Sequence, residues 1–154
     1  MKRLLFIFIT SFTIINCGSL VATKVPAEEF SQEKIIENLN LKKDKLYVIS
    51  NDWMVDTFND AESVIQFTDK EEGIVIGKYL LQGELIIADI ITNDTRIFAK
   101  IKIEVKDNKA KINITPTTAI NIFKEQHKLT IKDKINNLII SFENKISSIN
   151  SNSW

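Results

Sequence analysis

From Glu28 to the C-terminus the spacing of apolar positions changes, and the changes divide the chain into elements. In "EEFSQEKIIENL", residues 28 to 39, Phe30, Ile35, Ile36 and Leu39 fall at mixed intervals, read here as a first strand followed by a turn. From about 42 to 58 the period is helical. Leu46, Ile49 and Trp53 make one stripe, which Tyr47, Met54 and Phe58 widen, as on a helix packed against a sheet. Beyond it the period becomes two. "AESVIQFTD" and "GIVIGKYLLQG" form a hairpin with its turn near Lys70 to Gly73, and "ELIIADIIT" followed by "RIFAKIKIEV" repeats the arrangement. In the last of these, Ile97, Ala99, Ile101, Ile103 and Val105 share one face, and Arg96, Phe98, Lys100, Lys102 and Glu104 share the other. That pattern predicts a sheet with one buried and one mostly wet side. "KINIT" is a further strand, stopped at Pro116.

A second long helix closes the chain. Ile131, Ile135, Leu138, Phe142, Ile146 and Ile149 recur at helical intervals, and Thr130 with Asp133 has the spacing of a capping box. "TTAINIFKEQH", residues 117 to 127, is read as loop or a short helical turn, and "SSINSNSW" as a fraying tail. Short turns between successive strands make antiparallel neighbours. The expected fold is therefore α+β, an antiparallel meander of about five strands with two long helices packed on one face. A chain of 154 residues has room for one such domain, placed here at residues 28–150.

The N-terminus is patterned differently. Lys2 and Arg3 precede the apolar run "LLFIFITSFTII", and Asn16 and Cys17 follow it. This is the order of charge, apolar core and cleavage region in a secretory signal, and the run is short of the roughly 20 residues that span a bilayer. Cys17 is the single cysteine of the chain, so it has no internal disulfide partner. "IINC" resembles the lipobox of bacterial lipoproteins, with Ile14 at the apolar position three before the cysteine and Asn16 where Gly, Ala or Ser is commoner. The resemblance implies removal of residues 1–16, lipidation of Cys17, and a tether over 17–27. The competing reading makes residues 4 to 15 a core element and Cys17 an apolar filler; it leaves the leading charges unexplained. Two or three acyl chains hold a protein on its membrane for long times, since each buried CH₂ contributes about 0.8 kcal/mol. The expected location is the bacterial cell envelope, at the periplasmic face of the outer membrane in a diderm.

The segment "KDKLYVISNDWMVDTFNDAESVIQFTDKEEGIVIGKY" is similar to DUF4468, a family of small exported proteins of unknown function with a TBP-like fold. The residues that carry the likeness are Leu46, Tyr47 and Trp53; Val64, Ile65 and Gln66; Asp69, Lys70, Glu71 and Gly73; and Ile76, Gly77 and Lys78. The likeness covers about residues 28 to 115. It implies a sheet with helices on one face and brings no activity with it.

Composition narrows the function classes. The 20 Lys and Arg equal the 20 Asp and Glu, and loss of Lys2 and Arg3 with a signal leaves 18 against 20. No global field favours nucleic acid. Lys100, Lys102, Lys109 and Lys111 make a local basic group, but Glu104 and Asp107 among them predict a mixed solvated face. His127 is the only histidine, read as a solvated loop residue before the last helix, with no nucleophile signalled beside it. Asp52, Asp56 and Asp60 have helical spacing and are read as a solvated face rather than cation ligands. "TDKEEG" lacks the spacing of a calcium loop. Gly73 and Gly77 lack the following helix and Lys-Ser/Thr of a phosphate loop, and Gly77 is read as close packing or a bulge. Trp53 is read as core. Asn93 and Asn113 sit in N-x-T sequons, which carry little meaning in a bacterial chain. No metal, cofactor or catalytic set is expected. The first function reading is a membrane-anchored, non-catalytic binding or structural module with an envelope protein as partner. The alternative is a carrier holding a small apolar ligand between the sheet and the C-terminal helix.

Overall fold

The alternation in "RIFAKIKIEV" becomes the central strand of a five-stranded antiparallel sheet. In the computed structural model, which describes residues 22–59, 63–83, 86–87, 90–91 and 96–151, the strands are β1 (Thr23–Val25), β2 (Gln32–Glu37), β3 (Val64–Asp69), β4 (Ile74–Gln82), β5 (Ile86–Ile87), β6 (Ile90–Ile91), β7 (Ile97–Lys106), β8 (Lys109–Pro116) and β9 (Ile120–Ile122). The helices are α1 (Lys43–Thr57) and α2 (Glu125–Ser151), and Ala27–Phe30 is a short 3-10 turn. The main sheet runs β2-β8-β7-β4-β3, and β1-β9 and β5-β6 are separate two-stranded ladders. The first strand of the sheet thus lies beside the last. The fifth place is held by β2, whereas the expected strand over "ELIIADIIT" contributes the β5-β6 ladder. β7 pairs with β4 along one edge and with β8 along the other, so no position in the sheet is left between them.

One face of the sheet is dry. Ala99, Ile101 and Ile103 of β7, Ala110, Ile112 and Ile114 of β8 and Val75 of β4 are fully buried under the two helices. α1 brings Leu46, Ile49, Trp53 and Met54 to this layer, and α2 brings Ile131, Ile135, Ile139, Phe142 and Ile146. The α1 stripe is the one the spacing predicts; on α2, Ile139 joins the expected set, Leu138 is buried with it, and Ile149 is only partly buried. Trp53 joins the helices: its ring meets Phe142 edge-on at 5.1 Å, and its indole N–H donates to Ser141 Oγ at 3.1 Å.

Two glycines are fixed by close approach. Gly73 ends the β3-β4 turn at φ 68°, and a Cβ there would lie 2.5 Å from the Val105 carbonyl oxygen. A Cβ on Gly77 would lie 2.5 Å from Phe58, and β3 bulges between Ile65 and Phe67 on the neighbouring strand. Close packing and a bulge are therefore both present, one on each strand.

Three boundaries differ from expectation. β1 and Ala27 lie within the region assigned to the tether; Val25 and Ala27 are buried, and β1 is held by β9. β9 itself lies inside the stretch read as loop. α2 starts at Glu125, one turn before the expected capping box, and Thr130 donates its hydroxyl to the Gln126 carbonyl instead of capping. Polar residues hid this first turn.

The start of α1 is closed from a distance. Asp107, in the β7-β8 turn, accepts a hydrogen bond from the Lys43 backbone N–H at 2.8 Å. That bond, more than the charge of Lys42, holds the Asp107 carboxyl below the ordinary carboxylate value. The resulting stabilisation is present above the ordinary value and is lost as pH falls through the lowered one. Asp107→Ala is expected to lower the urea midpoint at neutral pH, with the difference from the parent shrinking in acid. Urea titrations at the two pH values read this directly.

Candidate functional site

The wet face of the sheet carries the basic group noted in the sequence. Lys102 and Lys111 both reach Glu104, at 3.0 and 2.8 Å, and Lys109 reaches Glu37 at 2.7 Å. Their hydrogen bonds lower the pKa of Glu104. Lys100 and Lys106 have no ion pair among the described residues, and Lys78 sits 3.6 Å over the ring of Phe98. The mixed solvated face is as expected. It has an apolar side as well: on the edge strand β3, Val64 and Phe67 share this face at 46% and 50% exposed, while Ile65, opposite Gly77 on the helix side, is 37% exposed. An edge strand so little covered presents backbone groups and apolar side chains together.

The acidic group resolves differently. Asp52 and Asp56 both pair with Lys145 of α2, at 2.7 and 2.8 Å, while Asp60 lies outside the described residues. The two carboxylates thus have a cation from the protein itself, and no group fit to hold a metal occurs among the described residues.

His127 lies in the first turn of α2 and is half-buried, which corrects the solvated-loop reading. Its Nε2 is 3.0 Å from Gln82 Oε1, joining the helix to the end of β4. Burial, and then the charge of Lys134, push the imidazole pKa down. The ring lines a cavity of about 310 Å³ where β1-β9, the start of β7 and the start of α2 meet. Lys24 and Arg96 are also on its wall, with Thr118 and Asn121 as polar groups and Ile97 and Phe123 as apolar ones; no carboxylate lines it among the described residues. Sequence reasoning did not bring Lys24 and Arg96 to this cavity, because β1 was assigned to a tether, β9 to a loop, and Arg96 to the wet face of its strand. A groove of about 470 Å³ lies between the end of β4 and α2, beside Tyr79, Leu80, Leu138 and Lys134. Lys134 Nζ donates to the Leu81 carbonyl at 3.0 Å across it.

Cys17 and the sequon at Asn93 lie outside the described residues; Asn113 is on the wet face of β8. No helix among the described residues is long and apolar enough to cross a membrane.

The family model described as "Domain of unknown function (DUF4468) with TBP-like fold" matches residues 32–119. The chain belongs to this family. Among solved structures, the DUF4468 chain is similar to a TBP-like protein from Parabacteroides distasonis, at 14% identity and a TM-score of 0.57, with 76% of this chain and 92% of that one covered. It is similar also to a DUF4468 family protein from Bacteroides ovatus, at 10% identity and a TM-score of 0.47 over 80% and 86%. The Zhui aromatase/cyclase from Streptomyces gives 7% identity and a TM-score of 0.45 over 79% and 93%. No curated protein matches. The family match and the likeness to the Parabacteroides distasonis protein show the fold, two helices on a five-stranded antiparallel sheet.

Proposed function

We propose that this DUF4468 chain is a lipid-anchored protein of the bacterial envelope, held at Cys17, whose domain is a non-catalytic module that binds an envelope protein along β3. The observation that carries the binding role is the exposure of Val64, Ile65 and Phe67 on an edge strand, where a partner strand would add to the sheet and cover the apolar groups. The absence of a catalytic role is supported by the setting of His127, whose ring meets a neutral amide rather than a nucleophile or carboxylate. The anchor is supported by the charge, apolar run and Cys17 of the N-terminus, and by β1 starting six positions after that cysteine.

The test is co-purification from membranes of the parent, Cys17→Ala and Phe67→Lys chains. Cys17→Ala is expected to leave the mature, membrane-held fraction. Phe67→Lys is expected to stay folded and anchored while losing its partner. If Phe67→Lys retains every partner the parent retains, the β3 reading is wrong.

The carrier reading moves to a different place. Between the sheet and α2 the layer is filled by side chains that include Ile131, Ile135, Phe142 and Ile146, all fully buried. The groove beside Leu80 and Leu138 is the position that favours a small apolar ligand. A Leu138→Trp chain would separate the two readings, since it fills the groove and leaves β3 untouched.

A further inference from the structure

The register of the sheet sorts its wet face into rows, and the rows differ in charge. Toward the β7-β8 turn each row holds a carboxylate: Glu37 lies opposite Lys109, Glu104 opposite Lys111 and Glu33 opposite Asn113. The two rows at the other end hold none among the described residues. One runs Thr115, Lys100, Lys78, Val64 across β8, β7, β4 and β3, and the next pairs Phe98 with Leu80. Lys78 and Lys100 thus stand directly opposite each other, an arrangement that is destabilising between strands. Lys78 turns to the ring of Phe98, at 3.6 Å, and Lys100 is exposed with no ion pair among the described residues. The charge of this end is therefore left for something outside the domain.

The same end of the sheet lies beside the start of the domain. Thr117 donates its N–H to the Phe98 carbonyl at 2.8 Å, and β9, which follows, carries β1. β1 begins at Thr23, six positions after Cys17, and an extended link of that length reaches on the order of 20 Å at most. With Cys17 in a bilayer, these two rows stay within reach of the headgroups. We infer that the Lys78 and Lys100 end of the wet face lies on an anionic phospholipid surface, with the ammonium groups among the phosphates and Leu80 and Val64 beside them. The nearness of the bilayer rests on the anchored reading above; the charge of the face does not. Lysines set among apolar side chains suit such a boundary, because their stems cover apolar surface while their charged ends stay with the headgroups. The rows nearer the turn hold counterions of their own at Glu104 and Glu37. The outer edge of β3 stays open to a partner strand in the plane of the sheet.

The experiment reads lysine reactivity on the chain purified from its own membranes and reconstituted into vesicles. One set of vesicles is phosphatidylcholine alone, and the other is mixed with phosphatidylglycerol. Lysines are acetylated with a water-soluble reagent, and each site is followed by mass spectrometry. Lys78 and Lys100 are expected to react several-fold more slowly when phosphatidylglycerol is present, and to regain their rates in high salt. Lys106, on the same face of β7 but beside the turn, and Lys45, exposed on α1, should react alike in both. Each lysine near an anionic surface contributes about fivefold in affinity, so Lys78→Gln should weaken the protection of Lys100 by about that factor. Equal rates at Lys78 and Lys100 in the two vesicles, or protection as large at Lys106, would overturn the contact. Protection on native membranes with none on phosphatidylglycerol vesicles would place an acidic protein there and overturn the lipid. The N-terminal peptide of the same digest reports Cys17. If the cysteine proves unmodified while phosphatidylglycerol protects Lys78 and Lys100, the anchor fails and the contact stands.

Discussion

Trp53→Ala is expected to destabilise the domain by about 3 to 5 kcal/mol, the range for truncating a large buried aromatic side chain. Trp53 is only 2% exposed, and three losses coincide when it is cut. The indole leaves a cavity between α1 and the sheet, the edge-on contact with Phe142 disappears, and Ser141 loses the indole N–H that links the helices. Domains are stable by about 5 to 15 kcal/mol, so a large part of the total goes with one side chain. Trp53→Phe keeps a ring in the gap and loses the hydrogen bond, and should cost clearly less. Urea unfolding followed by circular dichroism orders the three chains. Equal midpoints for Trp53→Ala and the parent would show that the layer is not packed as described.

Gly73→Ala is expected to cost about 2 to 3 kcal/mol, because two independent penalties fall on one residue. The positive φ disfavours any side chain, and the added Cβ would meet a backbone oxygen at 2.5 Å. That oxygen has little freedom, since the Val105 N–H donates to the Gly73 carbonyl at 2.8 Å and ties the two backbones together. Asparagine usually tolerates a left-handed turn, but it carries the same Cβ, so Gly73→Asn should be destabilised too. Gly83 has nothing within 4 Å of the added atom, and Gly83→Ala should stay within about 0.5 kcal/mol of the parent. A Gly73→Asn chain as stable as the parent would mean that Val105 moves freely.

What was legible in the sequence follows from how locally each feature is encoded. The stripes of Leu46, Ile49 and Trp53 and of Ile131 to Ile146 were readable because a helix buries residues at a fixed interval. The dry face of β7 was readable because alternation survives wherever one side is packed. The place of β2 beside β8 was not, since pairing between residues 32–37 and 109–114 leaves no local mark. Lys24 was missed for the same reason: it reaches the cavity wall through β1-β9 pairing, and strands of two or three residues carry too few positions to show a period, while Arg96, just before β7, shares that wall only through tertiary placement. The start of α2 was misplaced because Glu125, Gln126 and Lys128 are polar, and because Thr130 and Asp133 offered a cap the helix does not use. Cys17 lies outside the described residues, and its reading as a lipid site rests on position and neighbours alone.

The most direct test of the account is the intact mass and the N-terminal peptide of the chain purified from its own membranes. A mature chain starting at Cys17 and carrying a diacylglycerol thioether, with or without an amide-linked acyl group, is the predicted result. A chain that retains residues 1–16, or that is cut elsewhere with an unmodified Cys17, would contradict it.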